Sequence, residues 1–502
     1  MNNTQSLRSK RKLKRHKYVT NPFSLCTSFT ACMETLPEIL VLEILSRVDD
    51  SAAVACCRAA WKTFNTLSPG LHSINLQWPL SSYIESRSRV SNASSSSQIT
   101  SPLKTIFLNL LSNLIVVESV RIGVKNLPRD LLHVDVEDKA NDLHLTDEDF
   151  IMEWLPRVSR SLKSLSISDF WAQSCHRRSN VLSLVSAYCH NLVELELKNA
   201  WISVDNLNQM LMVTSLTLES MRLTDKELTQ LNQSFPNLQV LNLIDVRGLK
   251  LPKIYLRHLK TCHWTITDAP PFLNVIAPNL ITLRIECKKP AAVRVEAPSL
   301  THFRLSIPHA DPLLVKRYGT IKTVWIEASL IYPLLAHFRY TDSLDHLTLD
   351  SLGLIKGPFG IFKFTLQNLF NIFPNMTSLC FRPRAWSAFE VRGSIFGIGM
   401  EGLKTFCGYL MIVNLSLTLS WVACVLDQCY NLVDVSLLIH RNVSSNVSKD
   451  FMRTCMLRWP KLNWRWGTWE EGKEDCWISD EDLMQMSSDM KPEFRCVKKQ
   501  RS

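Results

Sequence analysis

The chain has 502 residues, 46% of them hydrophobic, and a formal net charge of +11. Seven of those charges lie in residues 1–32, as Arg8, Lys10, Arg11, Lys12, Lys14, Arg15 and Lys17 with no acid among them, so the rest of the chain carries only +4. That balance excludes a molecule-wide basic surface for nucleic acid. The fifteen cysteines form no C-x-x-C pair and exclude the usual zinc frameworks. With no secretory leader to read, they are expected to be reduced thiols in the cytoplasm or nucleus.

Residues 1–32 read as a disordered basic arm. A nuclear-import patch, a transit peptide and a start at Met33 stay open for it. From Glu34 to Leu67 the chain reads ETLPEILVLEILSRVDDSAAVACCRAAWKTFNTL. Pro37 suits a helix start. Ile39, Leu40, Ile44, Leu45 and Val48 recur at helical spacing and predict one apolar face. Asp49-Asp50-Ser51 ends that helix and caps the next, which is expected to run through Val54, Cys57, Trp61 and Phe64. A unit this small and this apolar needs a partner surface.

The stretch resembles the F-box, the motif that joins a substrate receptor to a Skp-family adaptor and so to a cullin–RING ubiquitin ligase. Leu36-Pro37, Ile44-Leu45-Ser46-Arg47 and the run from Cys57-Arg58 through Trp61-Lys62 to Phe64 and Leu67 match its pattern in order. Asp49 stands where that family has a proline, Trp61 where it has a cysteine and Phe64 where it has a tryptophan, so the aromatic plug is shifted. The resemblance implies an F-box over 33–72 whose adaptor-binding residues are Leu36, Pro37, Ile39, Leu40, Ile44, Leu45, Val48, Val54, Cys57, Trp61 and Phe64.

Leu71, Ile74 and Leu76 follow the F-box. Residues 81–102 are Ser-rich, without periodicity, and read as a linker or loop. From about Leu103 the unit L-x-x-L-x-L recurs. It stands at Leu162, Leu192, Val213, Leu238, Leu280, Leu300, Ile321, Leu344, Met376 and Leu432, with degenerate copies at Leu259 and Leu403. Val117 and Leu131 open the array. From Leu192 onward the starts step by 21, 25, 21, 21, 20, 21, 23, 32, 27 and 29 residues, the period of leucine-rich repeats. Thr146-Asp147-Glu148-Asp149 and Leu223-Thr224-Asp225 read as helix starts in the return segments, and pairs such as Pro236-Asn237 and Pro278-Asn279 precede strands. The repeats lack a strict Asn ladder and are similar to the irregular repeats that follow an F-box in many plant proteins. The expected fold is α/β: a helical F-box, then an irregular leucine-rich-repeat solenoid over 103–470. Its parallel strands lie on the concave face and its helices and loops on the convex face. Trp464, Trp466, Trp469 and Trp477 are expected to close the last repeat, with a cap and tail over 471–502 that include a short helix from Asp480 to Met490.

Thr405 to Val425 is uncharged and long enough to cross a bilayer. However, Cys429-Tyr430-Asn431-Leu432 repeats Cys189-His190-Asn191-Leu192, which makes the segment repeat core, so no membrane partner is expected. Gly397-Ile398-Gly399-Met400-Glu401-Gly402 fits G-x-G-x-x-G but lacks the following helix and the acid about 20 residues on that a dinucleotide site needs. No catalytic residue, metal or cofactor is expected. The informative positions lie between the last two apolar residues of each repeat, which face outward: Glu196, Thr217, Asn242, His263, Arg284, Arg304, Trp325 and Thr348. Arg284, Arg304 and Trp325, flanked by His302 and His346, are the candidate substrate-binding patch for an acidic or phosphorylated segment. The resemblance makes the chain a non-catalytic substrate receptor of a ubiquitin ligase. A scaffold that no longer recruits the ligase, and a small-molecule sensor of the same architecture, are the alternatives.

Overall fold

The computed structural model describes residues 36–48, 50–80, 102–125, 143–170, 174–266, 270–287, 292–308, 313–316, 318–338, 341, 343–352, 356–357, 360–361, 364–390 and 402–479. The basic arm, nearly all of the Ser-rich stretch, the repeat at Leu131, most of the glycine motif at 397–402 and the helix expected from Asp480 lie outside the described residues.

Three short helices come first: α1 (Glu38–Ser46), α2 (Ser51–Ala60) and α3 (Lys62–Leu67). A sixteen-stranded sheet follows in sequence order, parallel throughout except for its last strand. It opens at Ser73–Trp78, which pairs with Ser119–Val124. The array therefore starts before the Ser-rich stretch, about thirty residues earlier than the sequence suggests, and that stretch interrupts the solenoid instead of preceding it. The apolar residues of the unit are those turned inward. Leu165, Leu195, Leu216, Leu241, Cys262, Leu283, Phe303, Val324, Leu347 and Leu379 lie in one continuous register, and each is buried. The next inward row holds Leu243, Trp264, Ile285, Leu305 and Ile326, and it breaks at Gly408. A Cβ there would meet Leu437 at 2.9 Å and Trp386 at 3.1 Å. The Trp386 indole occupies that space, with its Nε1–H donated to the Tyr409 carbonyl at 2.8 Å.

Repeat length decides the return segment. Where successive starts lie 20–21 residues apart, from Leu238 to Ile321, the returns are strands. Lys253–Tyr255, Phe272–Ile276, Ala292–Glu296 and Leu313–Lys316 form a second, four-stranded parallel sheet. Where the step is 25 or more, helices fit, as at Asp225–Ser234, Leu366–Ile372 and Leu415–Leu426. A strand climbs ~3.3 Å per residue against ~1.5 Å for a helix, so the short repeats have no residues to spare for helical turns. The convex face is thus part helix and part sheet.

The helix Asp225–Ser234 begins with a capping box between Thr224 and Glu227. The start expected at Thr146 is different. The helix runs Glu148–Val158 from Asp147 with no side-chain cap, because the Thr146 hydroxyl donates to the buried Asp169 carboxylate instead. The Asn residues before the strands have a shared use. The side-chain amides of Asn191, Asn237 and Asn279 donate to the carbonyls of Arg160, Leu211 and Arg257 in the preceding repeat, at 2.8–2.9 Å. At the strand exits, Asn199, Ser220 and Asp245 take left-handed φ of 57°, 53° and 51°. No helix among the described residues is long and apolar enough to cross a membrane.

Candidate functional site

The helical unit presents two apolar faces, where the sequence suggested one. Val41 and Leu45 of α1 are buried with Val54, Phe64 and Leu71 in a small core of their own. Ile39, Leu40 and Ile44 point away from it and are 81%, 49% and 41% exposed. Positions 41 and 45 stack on one side of a 3.6-residue turn, while 40 and 44 stack on the other. Pro37 precedes the helix, with its carbonyl accepting from Leu40 and Val41. The second helix expected through Phe64 is broken at Trp61, whose backbone is extended (φ −145°, ψ 128°). That break swings the Trp61 ring edge-on to Phe64, with centroids 4.6 Å apart. Of the eleven expected adaptor residues, Pro37, Ile39, Leu40 and Ile44 are exposed. Leu36, Val48, Cys57 and Trp61 are half-buried at the rim. Leu45, Val54 and Phe64 are interior and hold the others in place.

The unit is fastened to the solenoid. The Asp50 side chain caps α2 by accepting from the Ala52 N–H at 3.0 Å. Next to it, buried Ser51 accepts from the Asn75 N–H at 2.9 Å, in the first strand of the sheet. The Ile115 N–H donates to the Pro69 carbonyl at 3.1 Å, and Leu114 packs on the small core.

The outward row of the sheet follows the expected order. Glu196, Thr217, Asn242, His263, Arg284, Arg304, Trp325 and Thr348 are register partners in sequence, and the row continues through Cys380, Cys407, Ser436 and Arg465. Arg304 and Trp325 come together, with the guanidinium carbon 3.8 Å from the indole centroid. Arg284 does not join them as a free cation, because it forms a two-atom ion pair with Glu286 two residues on. His302 and His346 are exposed on the flanking row, on either side of Thr323, and His346 lies 3.2 Å from Asp345. Burial, and then the neighbouring Arg284 charge, lower the pKa of both His263 and Arg304.

Two residues of this surface escaped the sequence reading. Arg382 lies 5.7 Å from the same Trp325 centroid and 3.9 Å from the Tyr409 centroid, and the Tyr409 hydroxyl donates to Asp475 at 2.6 Å. Both stand two residues beyond the outward positions Cys380 and Cys407, in repeats past Thr348, where the inspected row ends. The signal was present in the alternation itself. On the row beneath them Cys380 and Cys407 face each other in register. The hydrogen bond from Cys380, assisted by Arg382, holds the Cys407 thiol below its usual range and pushes Cys380 up.

Among the described residues, no group of three or more His, Cys, Asp or Glu side chains converges as metal ligands would. The most perturbed carboxyl, Asp169, is pushed up to about 7 by burial. It accepts from the backbone N–H groups of Leu145 and Thr146 and is sealed from solvent, which makes it a structural clasp.

No protein-family profile matches the chain. A curated F-box/LRR-repeat protein of Arabidopsis thaliana is 38% identical over 455 residues, covering 89% of this chain and the whole of the relative. A helical unit with an exposed apolar face, fastened to a leucine-rich solenoid, agrees with that likeness, and the chain belongs to the F-box/LRR-repeat protein family.

Proposed function

We propose that the chain is the substrate-recognition subunit of an SCF-type cullin–RING ubiquitin ligase. The F-box binds the Skp-family adaptor, and through it the cullin and RING subunits. The outward face of the sheet, with Arg284, Arg304 and Trp325 on one row and His302 and His346 on the flanking row, faces the target. The subunit supplies proximity for ubiquitin transfer and no bond chemistry of its own.

One observation carries the reading: α1 fills its own core with Val41 and Leu45 yet leaves Ile39, Leu40 and Ile44 in water. Three large apolar side chains on one exposed helix face, beside a half-buried Trp61, form an unpaired contact surface. The test is co-precipitation of the adaptor and cullin with the full chain in plant extract. The wild type is expected to bring down both, and Leu36→Ala/Pro37→Ala is expected to lose most of the adaptor. A wild type that brings down neither contradicts the proposal.

A further inference from the structure

Arg304, Trp325, Arg382 and Tyr409 form a stacked ladder on the outward face of the sheet: guanidinium on indole, guanidinium on the same indole, and that guanidinium on a phenol. Neither arginine holds a carboxylate among the described residues. The Nε of Arg304, the Nε of Arg382 and the Nε1 of Trp325 are all covered and have no hydrogen-bond acceptor among the described residues. Three covered donors without acceptors at one place are costly to leave so, and two guanidiniums around one ring repel each other. The acids within electrostatic reach are engaged elsewhere. Glu286 is paired with Arg284. Glu327 accepts from the Ser306 hydroxyl at 3.1 Å. Asp350 accepts from the backbone N–H groups of Ser351 and Arg384.

The cationic group next door and the ladder's own phenol are handled differently. The segment after the last parallel strand folds back over this end of the sheet, where Glu471 meets Arg384 at 3.1 Å and Asp475 meets Tyr409. The face takes carboxylates where its own chain supplies them, at Arg384 and at the Tyr409 end of the ladder, and the two ladder arginines are left without one among the described residues.

The ladder also has a shape. It runs from the strand His302–Ser306 to the strand Thr405–Leu410, four neighbour steps in the sheet. At ~4.8 Å per step this is about 19 Å, the length of roughly six residues of extended peptide. A single small anion would span only one of these steps.

We propose that Arg304, Trp325, Arg382 and Tyr409 are a recognition track for an extended acidic segment of the target protein, with carboxylate or phosphate oxygens on the two guanidiniums and an apolar side chain against Trp325. This deepens the receptor reading and rests on it for the word target. Arg–oxyanion contacts supply the orientation, and the indole supplies the anchor.

The test is fluorescence anisotropy on the purified full chain with three labelled octapeptides: alternating Glu–Leu, alternating phosphoserine–Leu and alternating Lys–Leu. At least one anionic peptide is expected to bind and the lysine peptide is not, with affinity falling as salt rises. Arg304→Ala, Arg382→Ala and Trp325→Ala are each expected to weaken binding about tenfold or more, and Arg284→Ala less than about threefold. The tighter of the two anionic peptides identifies carboxylate or phosphate as the natural source. The track is overturned if neither anionic peptide binds the wild type, if the Arg304 and Arg382 variants bind like it, or if free glutarate or inorganic phosphate displaces the probe as readily as unlabelled peptide does. Adaptor co-precipitation, run on the same preparations, separates the two claims. Its failure alone sinks the receptor reading, and failure of peptide binding alone sinks the track.

Discussion

Asp169 is a carboxyl with no cation bonded to it among the described residues, sealed inside the first repeats and held by two backbone N–H groups and the Thr146 hydroxyl. Burial raises its pKa from 3.8 to about 7. Between those values the native protein keeps a proton that the unfolded chain gives up. The contribution to stability is therefore complete below about pH 4 and is lost as pH rises toward 7. Asp169→Asn fixes a neutral group in the same shape. Urea midpoints at pH 5 and pH 8 are expected to differ more for the wild type than for this variant, and equal differences would contradict the assignment. Asp169→Ala is expected to cost about 2–4 kcal/mol, because two buried N–H groups lose their acceptor.

At the scale of elements, α1 separates stability from docking. Leu45→Ala removes an interior side chain and is expected to cost the F-box about 2–4 kcal/mol, read as earlier proteolysis of residues 36–71. Ile44→Glu replaces a side chain that is already 41% exposed and is expected to leave that proteolysis unchanged. The short repeats make a different prediction. Their return segments are hydrogen-bonded strands, so the amides of Leu273, Val275, Val293 and Val295 should exchange as slowly as those of Leu283 and Leu305 in the large sheet. Fast exchange at these four positions would mean loops instead. The apolar triplets of the large sheet were legible in the sequence because each strand buries two alternate residues in one register. The return strands were not, since pairs such as Leu273/Val275, Val293/Val295 and Leu313/Val315 carry two alternate apolar residues without the leading leucine that marks the triplet. Their nature follows only from repeat length. Trp61 was misplaced inside a helix because apolar spacing does not report a one-residue extended break.

On the scale of the whole molecule, each repeat contacts mainly its neighbours, so the ends need closing. The F-box closes the start through Ser51, Pro69 and Leu114. At the other end Cys476–Trp477 pairs antiparallel to Asn463–Trp469, and Arg465 lies 3.9 Å from the Trp477 centroid. The four tryptophans assigned to this end from the sequence share the work unequally. Trp466 and Trp469 are buried, Trp464 stacks on Trp466, and Trp477 is half-exposed. The first outward row of the sheet was readable from the repeat alone. The ion pair that silences Arg284 is local, with Glu286 two residues on, and was not inspected. Continuing the alternation would have reached Arg382 and Tyr409, but the stacking of Arg382 on Trp325 and Tyr409 joins residues 78 and 105 positions beyond Arg304, and alternation alone does not show it.

The exposed face of α1 is proposed as the docking surface for the adaptor. Its most direct measurement is isothermal titration of a purified Skp-family adaptor into the purified full chain, beside the Ile39→Glu/Ile44→Glu double variant at equal thermal stability. The wild type is expected to bind one-to-one, with Kd of about a micromolar or tighter, and the variant at least about a hundredfold more weakly. No binding by the wild type, or equal binding by both, would contradict it.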